Sequence, residues 1–124
     1  MDEEDPAKPP YDLEERTLEF ALDVRRCVGS WAWTRWQWSD IDQLLRSSGS
    51  VASNYAEANN SSTKPEFRHR ISVCRRESSE SRLWVQILGS TTKQAEPKEQ
   101  LRELFNEADE LTRIFATIYR NSKP

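Results

Sequence analysis

Apolar residues recur at helical spacing along four stretches of the chain, separated by polar or proline-containing joints. The first stretch runs from about Leu13 to Val28. Leu13, Thr17, Phe20, Val24, Cys27 and Val28 share one side of it, and Asp12 with Glu15 makes a capping-box-like start. The second spans about Asp40 to Asn60 and is entered at Ser39. The third opens at Thr63-Lys64-Pro65-Glu66, a T-x-x-E capping box with a first-turn proline, and continues to about Leu88. The fourth begins near Pro97 and carries Leu101, Leu104, Phe105, Ala108, Leu111, Phe115, Ile118 and Tyr119. Short joints between long amphipathic helices favour antiparallel neighbours. The predicted fold is therefore all-α, an up-down-up-down antiparallel four-helix bundle over residues 12–120. An acidic flexible tail (1–11) and a short C-terminal tail (121–124) flank it.

The second helix breaks the rules for a comfortable one. Ser47, Ser48, Gly49, Ser50 and Ser53 sit among Leu44, Leu45, Val51, Ala52 and Tyr55, although an interior glycine costs about 1 kcal/mol relative to alanine. Small residues let another helix approach, so the run reads as a packing surface. Ile41, Leu44, Leu45, Ser48, Val51, Ala52 and Tyr55 share one face; Arg46, Ser50, Ser53 and Glu57 lie opposite, with Asn54 between. That back is either a solvated face or a subunit contact made by Arg46, Ser50, Asn54 and Glu57, with Arg46 and Glu57 pairing across it. On the third helix Phe67, Ile71, Cys74, Ser78, Ser81 and Val85 form the core stripe, leaving Val73, Leu83, Trp84 and Ile87 as surplus; Leu18 and Leu22 are surplus on the first. Several displaced apolar positions together predict self-association.

Composition narrows the function classes. Charged residues make up 31% and apolar ones 35%, the balance of helices that each bury one face. No segment approaches the length of a membrane span, and the acidic start MDEEDP is the opposite of a secretion signal, so a cytoplasmic chain without membrane contact is expected. Charge is unevenly spread despite a net −3. The third helix is locally basic, and Arg68, Arg75 and Arg82 recur every seven residues beside Ser72, Ser79 and Gln86, with Arg76 adjoining. Such a line is either a solvated face laced with ion pairs or a row that meets the phosphates of RNA or DNA. Between the first two helices Trp31, Trp33, Trp36 and Trp38 surround Arg35. They could close the end of the bundle, bury themselves in a neighbouring subunit, or stack on unpaired bases.

Catalytic chemistry has little to stand on. A carboxylate-bridged metal bundle needs inward Glu-x-x-His pairs, but Glu77 and Glu80 are not followed by histidine, and His69 points away from the core stripe. No phosphate-binding glycine loop, nucleophile elbow or Cys/His ligand pair occurs. Cys27 and Cys74 each fall in an apolar helical pattern and read as free buried thiols. Glu77 and Glu80 are better suited as partners for Arg46 or Arg70. No catalytic residue, metal or cofactor is expected.

Three segments, YDLEERTLEFA from Tyr11, QLLRSSGSVASNYAEAN from Gln43 and FRHRISVCRRESSESRLWVQIL from Phe67, precede a helix containing EADELTRIFATIY. In that order they resemble the bacterial four-helix family of 23S rRNA intervening-sequence proteins, itself similar to the accessory variability determinants of diversity-generating retroelements. The family's R-S-x-x-S-V-x-x-N-Y-x-E-A pattern is matched by Arg46, Ser47, Ser50, Val51, Asn54, Tyr55, Glu57 and Ala58. Its K-E-x-x-E-x-x-Y-W-L pattern is matched by Glu77, Glu80 and Trp84, with Arg76 for Lys and Leu83 for Tyr. The resemblance implies a bundle assembled into a ring, typically a homopentamer, with no enzymatic activity. The retroelement relatives imply binding of nucleic acid and a reverse transcriptase. Mild acidity and the tryptophan-rich joint set this chain apart from those basic scaffolds. The expected function is thus a non-enzymatic oligomeric scaffold that binds nucleic acid; the alternative is a protein-binding accessory subunit without nucleic-acid contact.

Overall fold

The computed structural model describes residues 12–123, and its first three helices start where a capping side chain satisfies orphan backbone N–H groups. Helix α1 (Leu13–Ser30) is capped by Asp12, whose carboxylate accepts from the amides of Glu14 and Glu15. Helix α2 (Arg35–Asn59) begins well before the expected Asp40. Thr34 Oγ1 accepts from the Gln37 amide at 3.3 Å while Gln37 Oε1 accepts from the Thr34 amide at 2.9 Å. This reciprocal capping box draws Trp36 and Trp38 into the helix despite their strand-like alternation with polar residues. Helix α3 (Lys64–Thr91) is capped by Thr63, with Pro65 in its first turn. Helix α4 (Ala95–Asn121) follows Gln94, which makes no side-chain cap bond. The bundle therefore runs one residue past the expected 120, and the tail at 1–11 lies outside the described residues.

Side-chain bonds fix the alignment of neighbouring helices. Asn59 donates to Glu14 and Arg25 to the Leu45 carbonyl across α1 and α2. Arg70 donates to Asn54 and Gln37 to Thr91 across α2 and α3. Arg68 meets Tyr119 and Arg82 meets Asp109 across α3 and α4, and Arg16 meets Glu107 across α1 and α4. In the first three pairs rising residue numbers meet falling ones, and in the fourth Trp31, just past the end of α1, donates to Gln100, so all four neighbouring pairs are antiparallel. Helices α1 and α3 sit diagonally, each packed on α2 and α4. Between them Phe20, Val24, Ile41, Leu44, Val51, Ile71, Val85, Leu88, Leu111 and Phe115 are almost entirely removed from water. Phe115 packs against the Tyr55 ring at 5.8 Å between centroids. Truncating so large a buried ring to alanine costs roughly 3–5 kcal/mol.

The small-residue run on α2 is explained within one chain. A Cβ added at Gly49 would lie 3.2 Å from the Arg25 guanidinium, which donates to the carbonyls of Ala21 and Leu45 and to Ser48 Oγ. Gly49 thus makes room for an arginine that bridges α1 to α2. On the other flank Ser47 and Ser81, both fully buried, share a 2.8 Å hydrogen bond between α2 and α3. Thr17, Ser48 and Ser78 are equally buried, and Ser78 Oγ has no partner among the described residues. Of the surplus apolar positions on α3, Val73 is buried at its edge, Trp84 and Ile87 are half-buried, and Leu83 is 50% exposed.

Candidate nucleic-acid interface

Seven-residue spacing carries Arg68, Arg75 and Arg82 down one line of α3, and their neighbours show where that line points. Arg70 and Glu77 face α2, whereas Arg68 and Arg82 face α4. Arg68 lies 3.7 Å over the Tyr119 ring and donates to its hydroxyl at 2.9 Å, with Nε buried and without a hydrogen-bond partner among the described residues. Arg82 donates to Asp109 at 2.6 Å and to Ser79 at 3.3 Å. These two members of the expected phosphate row thus already hold α3 against α4. Arg75 and Arg76 are exposed and meet no carboxylate among the described residues.

Helix α4 supplies what the row on α3 lacks, because it sorts its charges by flank. Glu107 and Glu110 bind Arg16 on the α1 side, and Glu103 lies on the same flank. Asp109, Arg113 and Arg120 fall on the α3 side, where Asp109 joins Arg82 to Arg113 at 2.6 and 3.0 Å. The hydrogen bond from Arg82, then that from Arg113, holds the Asp109 carboxyl below its ordinary value of 3.8. The outer groove between α3 and α4 therefore carries exposed Arg75, Arg113 and Arg120, with Arg76 at its rim and Asp109 as an acidic interruption. In sequence Arg113 is hidden because residues 96–113 together hold six acidic and three basic side chains, and Arg120 because it stands alone beyond them. Sorting them by angle around α4 would have separated the two signs.

The opposite flank of α4 is acidic. A groove of about 980 Å³ between α1 and α4 is lined by Asp12, Glu15, Glu19, Asp23, Glu103 and Glu107. Its arginines are occupied: Arg16 with Glu107 and Glu110, Arg26 with Glu19 and Asp23.

The residues expected at a subunit contact are partly bound within the chain. Arg46 pairs with Glu77 at 3.3 Å and Glu80 at 2.5 Å, the partners expected for it, rather than lying free to meet Glu57. Asn54 donates to the Ser50 carbonyl and hydroxyl and accepts from Arg70, the arginine that does not reach Glu77 or Glu80. Glu57 is exposed and Ser50 half-buried. The tryptophans divide. Trp31 donates to Gln100 and Trp33 to the Val28 carbonyl, closing the bundle end, while Trp36 and Trp38 stay 56% and 42% exposed. Trp33 and Trp36 border a cleft of about 440 Å³ with Gln37, Thr91 and Lys93.

Both cysteines are free and buried, and burial pushes their thiols up, to about 11 for Cys27 and about 12 for Cys74. Thiols so shifted are poor nucleophiles near neutral pH. Among the described residues no group of three His, Cys, Asp or Glu side chains could hold a metal ion, and no helix is long and apolar enough to cross a membrane.

The chain is similar to the crystal structure of a protein of unknown function from the S23 ribosomal protein family of Bacteroides thetaiotaomicron. The TM-score is 0.72 with 21% identity over 87% of this chain and 98% of that one, a likeness of fold. No match is found among curated protein sequences. The model of the 23S rRNA-intervening sequence proteins matches residues 12–117, nearly the whole bundle, and the chain belongs to that family.

Proposed function

We propose that this protein is a non-enzymatic, self-associating scaffold that binds nucleic acid along the outer groove between α3 and α4. The observation that carries the reading is a set of exposed guanidinium groups on two adjacent helices, at Arg75, Arg113 and Arg120, in a chain whose net charge is −3. Sorting positive charge onto one groove of an acidic molecule favours phosphate there and repels it elsewhere, which suits selective docking better than indiscriminate adhesion. Arg76 extends the row, while Arg68 and Arg82 stiffen its floor. Repetition of the groove in a multimer multiplies a weak site through avidity.

The self-associating part of the reading rests on the exposed leucines Leu18, Leu22 and Leu83. The α2 back offers Ser50 and Glu57 as a further polar contact, with Arg46 and Asn54 behind them. Membership of an rRNA-intervening-sequence family makes RNA the first ligand to try. A reverse transcriptase is the protein partner to try, on the strength of the retroelement resemblance.

Fluorescence anisotropy with labelled single-stranded and hairpin RNA tests the nucleic-acid reading. Binding at about 50 mM salt should weaken steeply as salt rises, with a log–log slope equivalent to several released counterions. No binding at that salt would replace this reading with the protein-binding accessory subunit. Light scattering on the free protein tests self-association separately, with a multiple of 14.5 kDa expected.

A further inference from the structure

The joints before α2 and before α4 meet at one end of the bundle, and the cleft between them is walled by Trp33, Trp36, Gln37, Thr91, Lys93 and Gln94. Its volume of about 440 Å³ suits a small ligand, since such pockets run to about 300–1,000 Å³ and combine apolar walls with a few polar groups. The two rings differ. Trp33 is half-buried with its indole N–H held by the Val28 carbonyl, so it forms a fixed wall. Trp36 is 56% exposed and makes no hydrogen bond among the described residues, so its ring is open to a planar partner.

The polar part of the lining donates. Lys93 is exposed and meets no carboxylate among the described residues. Gln94 makes no side-chain cap bond, so the first amides of α4 have no side-chain acceptor beside that ammonium. No acidic side chain lines the cleft; Asp40, one turn along α2 from Trp36, and Glu96 in the first turn of α4 stand outside its walls. An open aromatic face next to a cation and amide donors fits a nucleotide whose base is unpaired, with the base on the ring and the phosphate on the donors. The cleft also continues the basic groove. Thr91 lies sixteen residues beyond Arg75, about 24 Å along α3, with Arg82 and Arg102 between, each paired with a carboxylate. We propose that the cleft seats an unpaired nucleotide of an RNA strand whose phosphates follow the groove between α3 and α4. Its base stacks on Trp36 and its phosphate meets Lys93. The proposal rests on the nucleic-acid reading above and adds to it a preference for strands that offer a free base.

Fluorescence anisotropy with a labelled single-stranded RNA and an abasic strand of equal length tests it on the wild type, Trp36→Ala, Trp36→Phe and Lys93→Gln. Trp36 is exposed, so circular dichroism should show unchanged helicity in both of its variants. Trp36→Ala should bind the base-bearing strand roughly tenfold more weakly at low salt and the abasic strand as the wild type does. Trp36→Phe, which keeps an aromatic face, should recover most of that loss. Lys93→Gln should weaken both strands alike and lower the log–log salt slope by about one. Failure of the wild type to bind either strand would remove the nucleic-acid reading, and the cleft with it. A wild type that binds while Trp36→Ala loses nothing, or loses equally on both strands, would overturn the cleft alone and leave the groove standing. A fall in the mass of Trp36→Ala by light scattering would assign the ring to a subunit contact and overturn the proposal equally.

Discussion

The two flanks of α4 use the same kinds of side chain to opposite ends. Toward α1, Glu107 and Glu110 close on Arg16, and the surrounding carboxylates leave that groove acidic. Toward α3, one carboxylate, Asp109, serves two arginines, and Arg75, Arg113 and Arg120 remain exposed around it. The acidic flank satisfies its cations; the basic flank leaves charge over. The difference teaches that ion pairs in a bundle are informative by what they fail to neutralise, since exposed pairs contribute about 0–1 kcal/mol each to stability.

The comparison breaks most directly on the basic side. Changing Arg75, Arg113 and Arg120 together to Gln should weaken RNA binding on the order of a hundredfold at low salt and flatten the log–log salt slope by about one per lost phosphate contact. The control Glu15→Gln/Glu19→Gln/Glu103→Gln should leave binding equal or tighter. Equal losses in both variants would show that flank does not matter.

A smaller change probes the acidic side through stability. Arg16 and Glu107 have side chains 14% and 30% exposed and share a two-pronged bond of 2.7 and 3.0 Å. Glu107→Ala should lower unfolding free energy by about 2 kcal/mol in urea, because a mostly buried guanidinium loses its best partner. Arg113→Ala, on a side chain 76% exposed, should lower it by less than about 0.5 kcal/mol.

Asp109→Asn sharpens the contrast further. It removes the acidic interruption, so RNA binding should tighten roughly threefold with a steeper salt slope. Because the Asp109 carboxyl is held below 3.8 in the folded protein, its small share of stability is present at neutral pH. That share is lost only as pH falls below the usual carboxylate range, so Asp109→Asn should flatten the acid limb of a stability profile. The least effect is expected at the other end of the scale. The thiols of Cys27 and Cys74 are raised from 9.0 to about 11 and about 12, so the folded state holds their protons longer than the unfolded chain. Stability should be insensitive to them below pH 9 and decline between 9 and about 12. Serine at both positions should remove that decline, and thiol reagents at pH 8 should react only on unfolding.

The four helices and most of the core were legible because period-3.6 spacing survives without tertiary information. Phe20, Val24, Ile71, Cys74, Leu111 and Phe115 sit where their spacing puts them. The start of α2 was not, since Trp36 and Trp38 fall two apart, as strand residues do, and the Thr34 to Gln37 box outweighs that pattern. The arginine line on α3 was legible as a line but not in its direction. A single helix has no outside until its neighbours are placed, and α4 turns Arg68 and Arg82 into its own partners. Gly49 in sequence offers room for a helix, and the occupant is a guanidinium.

Ser47 and Ser81 meet in a setting where two leucines would be ordinary. Greasy surfaces slide, offering several alignments of similar energy a turn apart. Sealed from water, the two hydroxyls pair at 2.8 Å, with the Leu44 carbonyl, at 3.4 Å from Ser47 Oγ, as a longer alternative, and shifting α2 along α3 by a single turn would break that pair and leave Ser81 to find another partner. The pair therefore works as an index mark between the second and third helices. A hairpin bearing it should keep its alignment when the hydrophobic residues around it are exchanged.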